Sequence, residues 1–236
     1  MIYPYQKTLP LEFEDLEGSN SILIENHSSL GPLHSVLCNG IEFTSKNQFP
    51  KVRPISCDLP EHLCSIHRLR KKPDSFLRET CGHFFTSDTN IEPFWNTPFK
   101  YLRWLRKLGW VISTDFSIYT NMVLMQKLWN SFRNKLMTAF FQRNGINAIP
   151  APSWGDLTNI ELYMEGWPRG SILAINSTGL GLDKRCRYIW LEGYNAMLDI
   201  LKPIHIIRCG AYIEGERKEI STYYPNNNKP GYRYGR

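Results

Sequence analysis

The sequence predicts an α/β fold in which about five parallel strands alternate with helices. From about His83 to Gly210, short apolar runs rich in Ile and Val alternate with longer segments whose apolar residues recur at helical spacing. Such alternation gives a parallel sheet, because each helix forms a right-handed crossover between neighbouring strands. Strands that are apolar throughout also fit a sheet covered on both faces. The pattern fits a partial barrel as well as an open doubly wound sheet.

The first predicted helix lies between the first two predicted strands. Thr97 is its expected N-cap, with Pro98 at the first helical position, and Gly109 stops it. The strands that we expect are His83–Phe85, Trp110–Thr114, Ile146–Pro150, Ser171–Ile175 and Ile204–Ile207.

The longest predicted helix begins at Thr120 or Asn121 and ends at about Asn144. Its predicted core-facing stripe consists of Met125, Leu128, Phe132, Leu136 and Phe140. The opposite, polar face carries Lys127, Ser131, Asn134 and Thr138. Two shorter helices follow, one ending at Gly166 and one over Lys184–Leu201.

The chain is predicted to consist of three regions that differ in sequence pattern. Residues 1–80 contain seven prolines and are expected to be irregular, with short strands at most, packed on the second region. Residues 81–213 form the predicted α/β core domain. Residues 214–236 are predicted to be a basic flexible tail, because they are polar and rich in Asn, Pro, Gly and Tyr.

The composition is that of an ordinary globular protein. Apolar residues make up 42% and charged residues 21% of the 236 residues. The sequence contains no apolar run long enough to cross a bilayer and no pattern of a signal peptide, so we expect a soluble cytoplasmic protein without a membrane partner. The six cysteines are too few and too scattered for a disulfide scaffold, and in that compartment they should be reduced.

Positive charge is concentrated between Thr97 and Arg143. That span has a net charge of +7 in a chain whose net charge is +6, and Asp115 is its single acid. Its basic residues are Lys100, Arg103, Arg106, Lys107, Lys127, Arg133, Lys135 and Arg143. Such concentration favours an anionic partner, namely DNA, RNA or a nucleotide. A solvated surface that aids solubility and an acidic protein partner are the alternatives.

The candidate catalytic residues follow predicted strands, because parallel sheets place functional groups at the carboxyl ends of their strands. They are Asp115, Ser117, Tyr119 and Asp156. A carboxylate at Asp115 could act as a general base, a nucleophile or a metal ligand, whereas its structural alternative is to cap the next turn. Capping is the favoured role for Asp156, which directly precedes a predicted helix.

The candidate substrate-binding residues come from the same strand ends and from the basic helices. Trp154 could stack on a base or a sugar, or pack in the core. Backbone amides of the small-residue loop at Asn176 could cradle a phosphate, but the loop matches neither the P-loop nor the dinucleotide fingerprint. The full set is Trp154, Asn176, Ser177, Thr178, Arg185, Tyr212, Lys100 and Arg103.

A zinc site is conceivable but not predicted. The candidate ligands are Cys57, Cys64, His67, Cys81 and His83, whose spacing is not that of a known finger or ribbon. Ordinary buried cysteines are the favoured interpretation. No motif names a cofactor, so we leave the cofactor and the oligomeric state open.

Several segments resemble a family of bacterial and phage proteins catalogued as domain of unknown function 4417. They include Cys81-Gly-His-Phe-Phe85, Trp110-Val-Ile-Ser-Thr-Asp-Phe-Ser-Ile-Tyr119 and Gly145-Ile-Asn-Ala-Ile-Pro-Ala-Pro-Ser-Trp154. The resemblance covers roughly Cys81 to Gly210, and its most specific part is Asp-Phe-Ser-x-Tyr. The family commonly has Pro where this chain has Thr114, which affects the entry to the following helix. The resemblance implies a phage or mobile-element origin and brings no activity with it.

Three functional hypotheses follow from the sequence. The first is nucleic-acid binding or processing, with a site around Asp115. The second is an enzyme that acts on a small phosphorylated or glycosidic metabolite. The third is a non-catalytic phage protein that binds and inhibits a host defence component.

Overall fold

The computed structural model describes residues 34–178, 180 and 184–224, and the residues from Val36 onward form one compact unit. The described part contains seven β-strands: β1 (His62–Ser65), β2 (Thr80–His83), β3 (Trp110–Ile112), β4 (Ala148–Ile149), β5 (Ile172–Asn176), β6 (His205–Cys209) and β7 (Ser221–Tyr224). Its α-helices are α1 (Asp74–Arg78), α2 (Asp88–Asn96), α3 (Pro98–Leu105), α4 (Leu124–Arg143), α5 (Ile160–Met164) and α6 (Lys184–Leu201). Short 3-10 helices cover Ser35–Cys38, Ile66–Arg68 and Lys218–Ile220.

The strands are all parallel and lie side by side in the order of the sequence. Strands β1 to β4 form one hydrogen-bonded sheet and β5 to β7 form another. A bond of 2.8 Å from the Ala174 amide to the Pro150 carbonyl joins the two sheets. At the other end, the Tyr224 hydroxyl in β7 donates to the Pro60 carbonyl just before β1, at 2.6 Å. Because the strand order never reverses, the arrangement is that of a partial barrel rather than a doubly wound sheet.

Side chains that alternate along the strands fill the barrel and cover its outside. The inner cluster receives at least one residue from every strand: Leu63, Cys81, Ile112, Ile149, Ile172, Ala174, Ile207, Cys209 and Tyr224. The intervening residues point outward, so Val111 packs with the helices that follow the first strands, and Leu173 packs with α6. This alternation explains why the strands are apolar throughout, as expected for a sheet covered on both faces.

The α/β class is confirmed, but several elements differ from the prediction. The described residues hold seven strands instead of about five, and β2 begins at Thr80 rather than at His83. Helix α2 was not predicted. Pro93 lies in its middle, and proline normally indicates that a segment is not helical because it lacks a backbone N–H. Thr97 precedes Pro98 as expected, although its side chain makes no capping bond.

The polar face predicted for the longest helix is wrong. Helix α4 begins at Leu124, a few residues later than predicted, and lies in the middle of the molecule. Lys127, Asn134 and Thr138 are buried, whereas Met125 of the predicted core stripe is 72% exposed. The helix tolerates buried polar side chains because each finds a partner, as the Thr138 hydroxyl does at the Asn134 carbonyl.

The sheet extends beyond the predicted core domain on both sides. Strand β1 lies before Cys81 and β7 lies after the predicted boundary at residue 213. Residues 1–33 and 225–236, which make up much of the predicted N-terminal region and tail, lie outside the described residues, so the domain boundaries stay a prediction. Within the described part of the chain, no helix is both long and apolar enough to span a membrane.

Candidate functional site

A cavity of about 770 Å³ opens at the carboxyl ends of strands β2 to β5. The segments that follow these strands form its walls, and the first turns of α6 close one side. The polar lining includes Thr86, Ser87, Asp115, Ser117, Ser153, Asn176 and Thr178, and the aromatic lining includes Phe85, Tyr119, Trp154 and Trp190. This edge of a parallel barrel is where active sites are generally found.

Asp115 is the only carboxylate among the described residues that line the cavity. It follows β3 and is partly buried. Burial and the nearby Asp88 carboxylate raise the pKa of Asp115 to about 7, against a smaller opposing effect of a hydrogen bond with Ser153. A carboxyl group with that pKa exchanges its proton near neutral pH, which suits a general acid or base.

Asp88 supports this site from the start of α2. Its carboxylate accepts hydrogen bonds from the Ser117 hydroxyl at 2.8 Å and from the Ser117 amide at 3.1 Å. Asp88 thus orients a residue of the cavity wall and also favours the protonated form of Asp115. Its place in the segment that follows β2 was the available sequence signal, but its role depends on Ser117, which lies far away in the sequence.

Helix α4 holds the Asp115–Ser117 loop in place. The Asn134 amide group accepts from the Phe116 backbone N–H at 2.8 Å and donates to the Phe116 carbonyl at 3.1 Å. Asn130 donates to the Ser117 carbonyl at 2.6 Å. Removing such a partner leaves a buried backbone group unsatisfied, at a cost of about 1–3 kcal/mol. This role was not predicted, because the sequence pattern puts Asn134 on the polar face of the helix, opposite the core-facing stripe.

Two tryptophans form the aromatic wall. Trp154 lies against α6, where its indole N–H donates to the Ile189 carbonyl at 3.3 Å. A Cβ added at Gly193 would come within 2.1 Å of that indole nitrogen, so only glycine leaves room for the ring. Trp190 lies 5.9 Å from Trp154, centroid to centroid, and donates to the Asn176 carbonyl at 3.1 Å.

A buried ion pair supports Trp190 from behind. Arg208 and Glu216 are shielded from solvent and form two hydrogen bonds of 2.6 and 2.7 Å. The Arg208 guanidinium lies 4.8 Å from the centre of the Trp190 ring. Neither Trp190 nor this pair could be identified from the sequence, because Trp190 fits an ordinary helix position and Glu216 falls in the predicted tail.

The structure brings together half of the predicted site residues. Asp115, Ser117, Tyr119, Trp154, Asn176 and Thr178 line the cavity. Asp156, Ser177, Arg185, Tyr212, Lys100 and Arg103 are not among its lining residues. The catalytic and binding roles of all twelve residues stay predictions. The geometry favours the six that line the cavity.

The Asp156 carboxylate is hydrogen-bonded to neighbouring side chains and backbone, and it does not line the cavity. Its carboxylate accepts hydrogen bonds from Lys127 and Tyr163, both at 2.8 Å, and from the backbone and side chain of Asn159. Burial opposes ionisation of Asp156, but these hydrogen bonds outweigh it and lower its pKa to about 2. A carboxylate so fully hydrogen-bonded is a poor proton carrier at neutral pH.

Of the other predicted site residues outside the cavity, Ser177 and Tyr212 contact neighbouring residues and the three basic ones are exposed. The Ser177 hydroxyl donates to the Ala211 carbonyl at 2.7 Å. The ring of Tyr212 contacts the ammonium of Lys218, which lies 3.9 Å from its centre. Lys100, Arg103 and Arg185 are exposed on helices.

The basic span of the sequence does not form a single surface. Lys127, Arg133 and Lys135 are 6%, 9% and 0% exposed. Lys127 pairs with Asp156, and Arg133 pairs with Glu92 at 2.8 Å while its guanidinium stacks on Phe116. No Lys or Arg is among the described residues that line the cavity. The expected phosphate contacts are therefore missing from that lining.

The cysteines and histidines considered as zinc ligands do not come together. Burial raises the pKa of Cys57, Cys64 and Cys81, as expected for ordinary buried cysteines. Among the described residues, the one grouping with metal-ligand spacing is Glu61, His62 and Glu79. Two of these three are exposed, and the His62 ring is stacked on Phe76.

Comparison with known proteins decides the family. The family model described as Domain of unknown function (DUF4417) matches residues 41–224. The chain belongs to this family. The match confirms the resemblance seen in the sequence and extends it beyond Cys81–Gly210, so that it includes all seven strands.

Two curated proteins that are similar to this chain come from phages. The Gene 1 protein of Mycobacterium phage L5 is 27% identical over 194 residues, which are 80% of this chain and 84% of the relative. The Gene 1 protein of Mycobacterium phage D29 is 26% identical over 192 residues, which are 79% of this chain and 71% of the relative. No solved structure matches the chain. Relatives of this protein are thus phage proteins, as the resemblance implies.

Proposed function

We propose that the protein is an enzyme that uses Asp115 as an acid–base group on a small, uncharged, ring-bearing substrate such as a nucleoside or a glycoside. The observation that carries this proposal is the position of Asp115. It is the one carboxylate in the described lining of a large cavity at the barrel's carboxyl edge, and its pKa is raised to about 7. Groups with strongly shifted pKa values in such clefts are candidates for catalysis.

The cavity lining supports a ring-bearing and uncharged substrate. Its volume of about 770 Å³ lies within the usual range for small-molecule sites, which is roughly 300–1,000 Å³. Trp154 is partly exposed and lines the cavity, so its ring can stack on a base or a sugar, while the buried Trp190 closes the wall behind it. The lining contains hydroxyl and amide groups but no Lys or Arg among the described residues, which favours a glycosidic substrate over a phosphorylated one.

Asp115 would act on the bond between the ring and its leaving group. In the protonated form it would donate a proton to the leaving atom, and in the ionised form it would accept a proton from an attacking water. Ser153 would orient the carboxyl group through their hydrogen bond. Ser117 and Asn176 lie in the wall where substrate hydroxyls would need partners.

The test is turnover of a defined panel of substrates. Nucleosides and aryl glycosides are incubated with the protein, and release of the base or the aryl alcohol is followed by chromatography. Asp115→Asn should lower the rate by about 100-fold or more, since general acid–base groups contribute roughly 10²–10⁴-fold. Asp199→Asn is the matched control, because Asp199 is exposed on α6 and does not line the cavity. Equal rates for wild type and Asp115→Asn would contradict the proposal.

A second candidate is a single-stranded nucleic acid that supplies an unpaired nucleoside to the same cavity. Tyr119 favours it, because this side chain lines the cavity and is still 59% exposed, so it can stack on a neighbouring base. Short oligonucleotides in the same assay separate the two candidates. Turnover of oligonucleotides but not of free nucleosides would show that the substrate is a single-stranded nucleic acid. Absence of turnover with every substrate would favour a non-catalytic role, such as inhibition of a host component.

A further inference from the structure

We infer that the outer face formed by helices α1 and α3 binds the phosphate backbone of a nucleic acid. This inference concerns a different surface from the cavity and does not depend on the proposed function. The face, called the basic surface below, consists of Arg70, Lys72, Arg78, Arg103, Arg106 and Lys107, all of which are exposed.

The basic surface joins two segments that the sequence separates. Arg70, Lys72 and Arg78 lie in or just before α1, whereas the other three lie in α3 or directly after it. The Arg70 guanidinium lies 5.3 Å from the centre of the Tyr101 ring in α3. Lys107 contacts Asp74 of α1 at 3.0 Å. These contacts place the two segments side by side, and Arg78, Arg106 and Lys107 line one cleft between them.

Backbone contacts fix the two segments against each other. The Gly109 amide donates to the Leu77 carbonyl at 3.0 Å. A Cβ added at Gly109 would lie 2.2 Å from the Arg78 carbonyl oxygen, so this close approach requires glycine. The cations are therefore presented on a rigid scaffold, which reduces the entropy lost when an anion is bound.

A cleft of about 300 Å³ lies within the basic surface. Its described lining includes Arg78, Arg106 and Lys107, with Asp74 as the single acid. Arg106 donates its Nε–H to the Asn144 carbonyl at 2.9 Å, a bond that uses one of the five N–H groups of the guanidinium. A planar guanidinium held in this way can form paired hydrogen bonds with a phosphate. The cleft is thus suited to one phosphate group of a backbone.

The surface favours a nucleic acid over an acidic protein. Protein interfaces derive much of their affinity from a few large apolar or aromatic side chains buried at the centre. No large hydrophobic side chain between residues 60 and 118 is exposed in the described structure. Binding to a phosphate backbone needs no such anchor, because it is driven by charge and by the release of counterions.

The experiment measures binding of the full chain to labelled duplex DNA, single-stranded DNA and RNA of one sequence by fluorescence anisotropy over a series of salt concentrations. The triple variant Arg78→Gln, Arg103→Gln, Arg106→Gln should lose affinity for the preferred nucleic acid on the order of tenfold. The slope of log affinity against log salt concentration should be shallower by about 0.7–0.9 for each phosphate contact removed. The double variant without the Arg106 change serves if that residue proves necessary for folding.

The matched control removes the same charge elsewhere. Lys46, Arg169 and Lys202 are exposed and lie outside the basic surface, and they are changed together to Gln. The inference predicts that this control keeps the affinity and the salt dependence of the wild type. Equal losses in both triple variants, no binding at low salt, or equally strong competition by poly-glutamate would overturn it. Turnover in the cavity is assayed separately, so failure here leaves the proposed enzyme activity unaffected.

Discussion

Asp115 and Asp156 both follow strands, yet their surroundings give them opposite chemical properties. Burial and Asp88 raise the pKa of Asp115 to about 7, whereas hydrogen bonds from Lys127, Tyr163 and Asn159 outweigh burial and lower that of Asp156 to about 2. The sequence identifies both as strand-end acids, because a strand end can be predicted from local pattern. It does not separate their roles, because the deciding partners lie far away in the chain.

Asp156→Asn should lower stability through loss of the charge partner of Lys127. Lys127 is only 6% exposed, and breaking a buried pair on one side costs about 3–5 kcal/mol, less here because the Asp156 side chain is partly exposed. Because the pKa of Asp156 is lowered in the folded state, the stabilisation is present above the ordinary pKa of about 4 and is lost as the pH falls through about 2.

Urea denaturation at several pH values tests this expectation. The difference between wild type and Asp156→Asn should be largest near neutral pH and should shrink toward pH 2. Asp199→Asn, at an exposed position, is the control and should change stability by less than about 0.5 kcal/mol. A difference that does not depend on pH would show that the charge of Asp156 is not what stabilises the fold.

The helices show where prediction from sequence succeeds and where it fails. Helix α6 covers Lys184–Leu201 of the described residues and ends where predicted, because Pro203 follows its last turn. Helix α4 was expected to expose one face, but from Asn130 onward both faces are packed, because the loop after β3 and α5 contact it. Periodicity reveals a polar face but not whether another part of the chain covers it.

Gly193→Ala should disturb the aromatic wall of the cavity. The new methyl group would lie 2.1 Å from the indole nitrogen of Trp154, so the ring must move. Alanine is favoured over glycine within a helix by about 1 kcal/mol, and the change should therefore stabilise α6 once the clash is removed. We expect Gly193→Ala to destabilise the wild-type protein but to be neutral or stabilising in a Trp154→Ala background.

Thermal denaturation of the four proteins in this cycle provides the measurement. The coupling between the two positions should exceed about 1 kcal/mol. Additive effects would show that Trp154 does not pack on Gly193, and the geometry assigned to the cavity wall would then be wrong.

At the scale of the whole molecule, the sequence predicted the α/β class, and it pointed to the strand ends at which the cavity opens. Alternating pattern reveals parallel strands, and parallel strands place their carboxyl ends together. The distribution of charge was not predictable in the same way. Among the cations between Thr97 and Arg143, three in α4 are buried and four in or just after α3 are exposed, because tertiary packing decides which side chains reach solvent.

The central claim is that the barrel's carboxyl edge holds an acid that titrates near neutral pH. Carbon-13 NMR of the side-chain carboxyl groups, with the Asp115 signal assigned through Asp115→Asn, measures this directly. The titration midpoint of Asp115 should be about 7, and it should be lower in Asp88→Asn because the neighbouring negative charge is removed. A midpoint near the ordinary value of about 4 in the folded wild-type protein would contradict the claim.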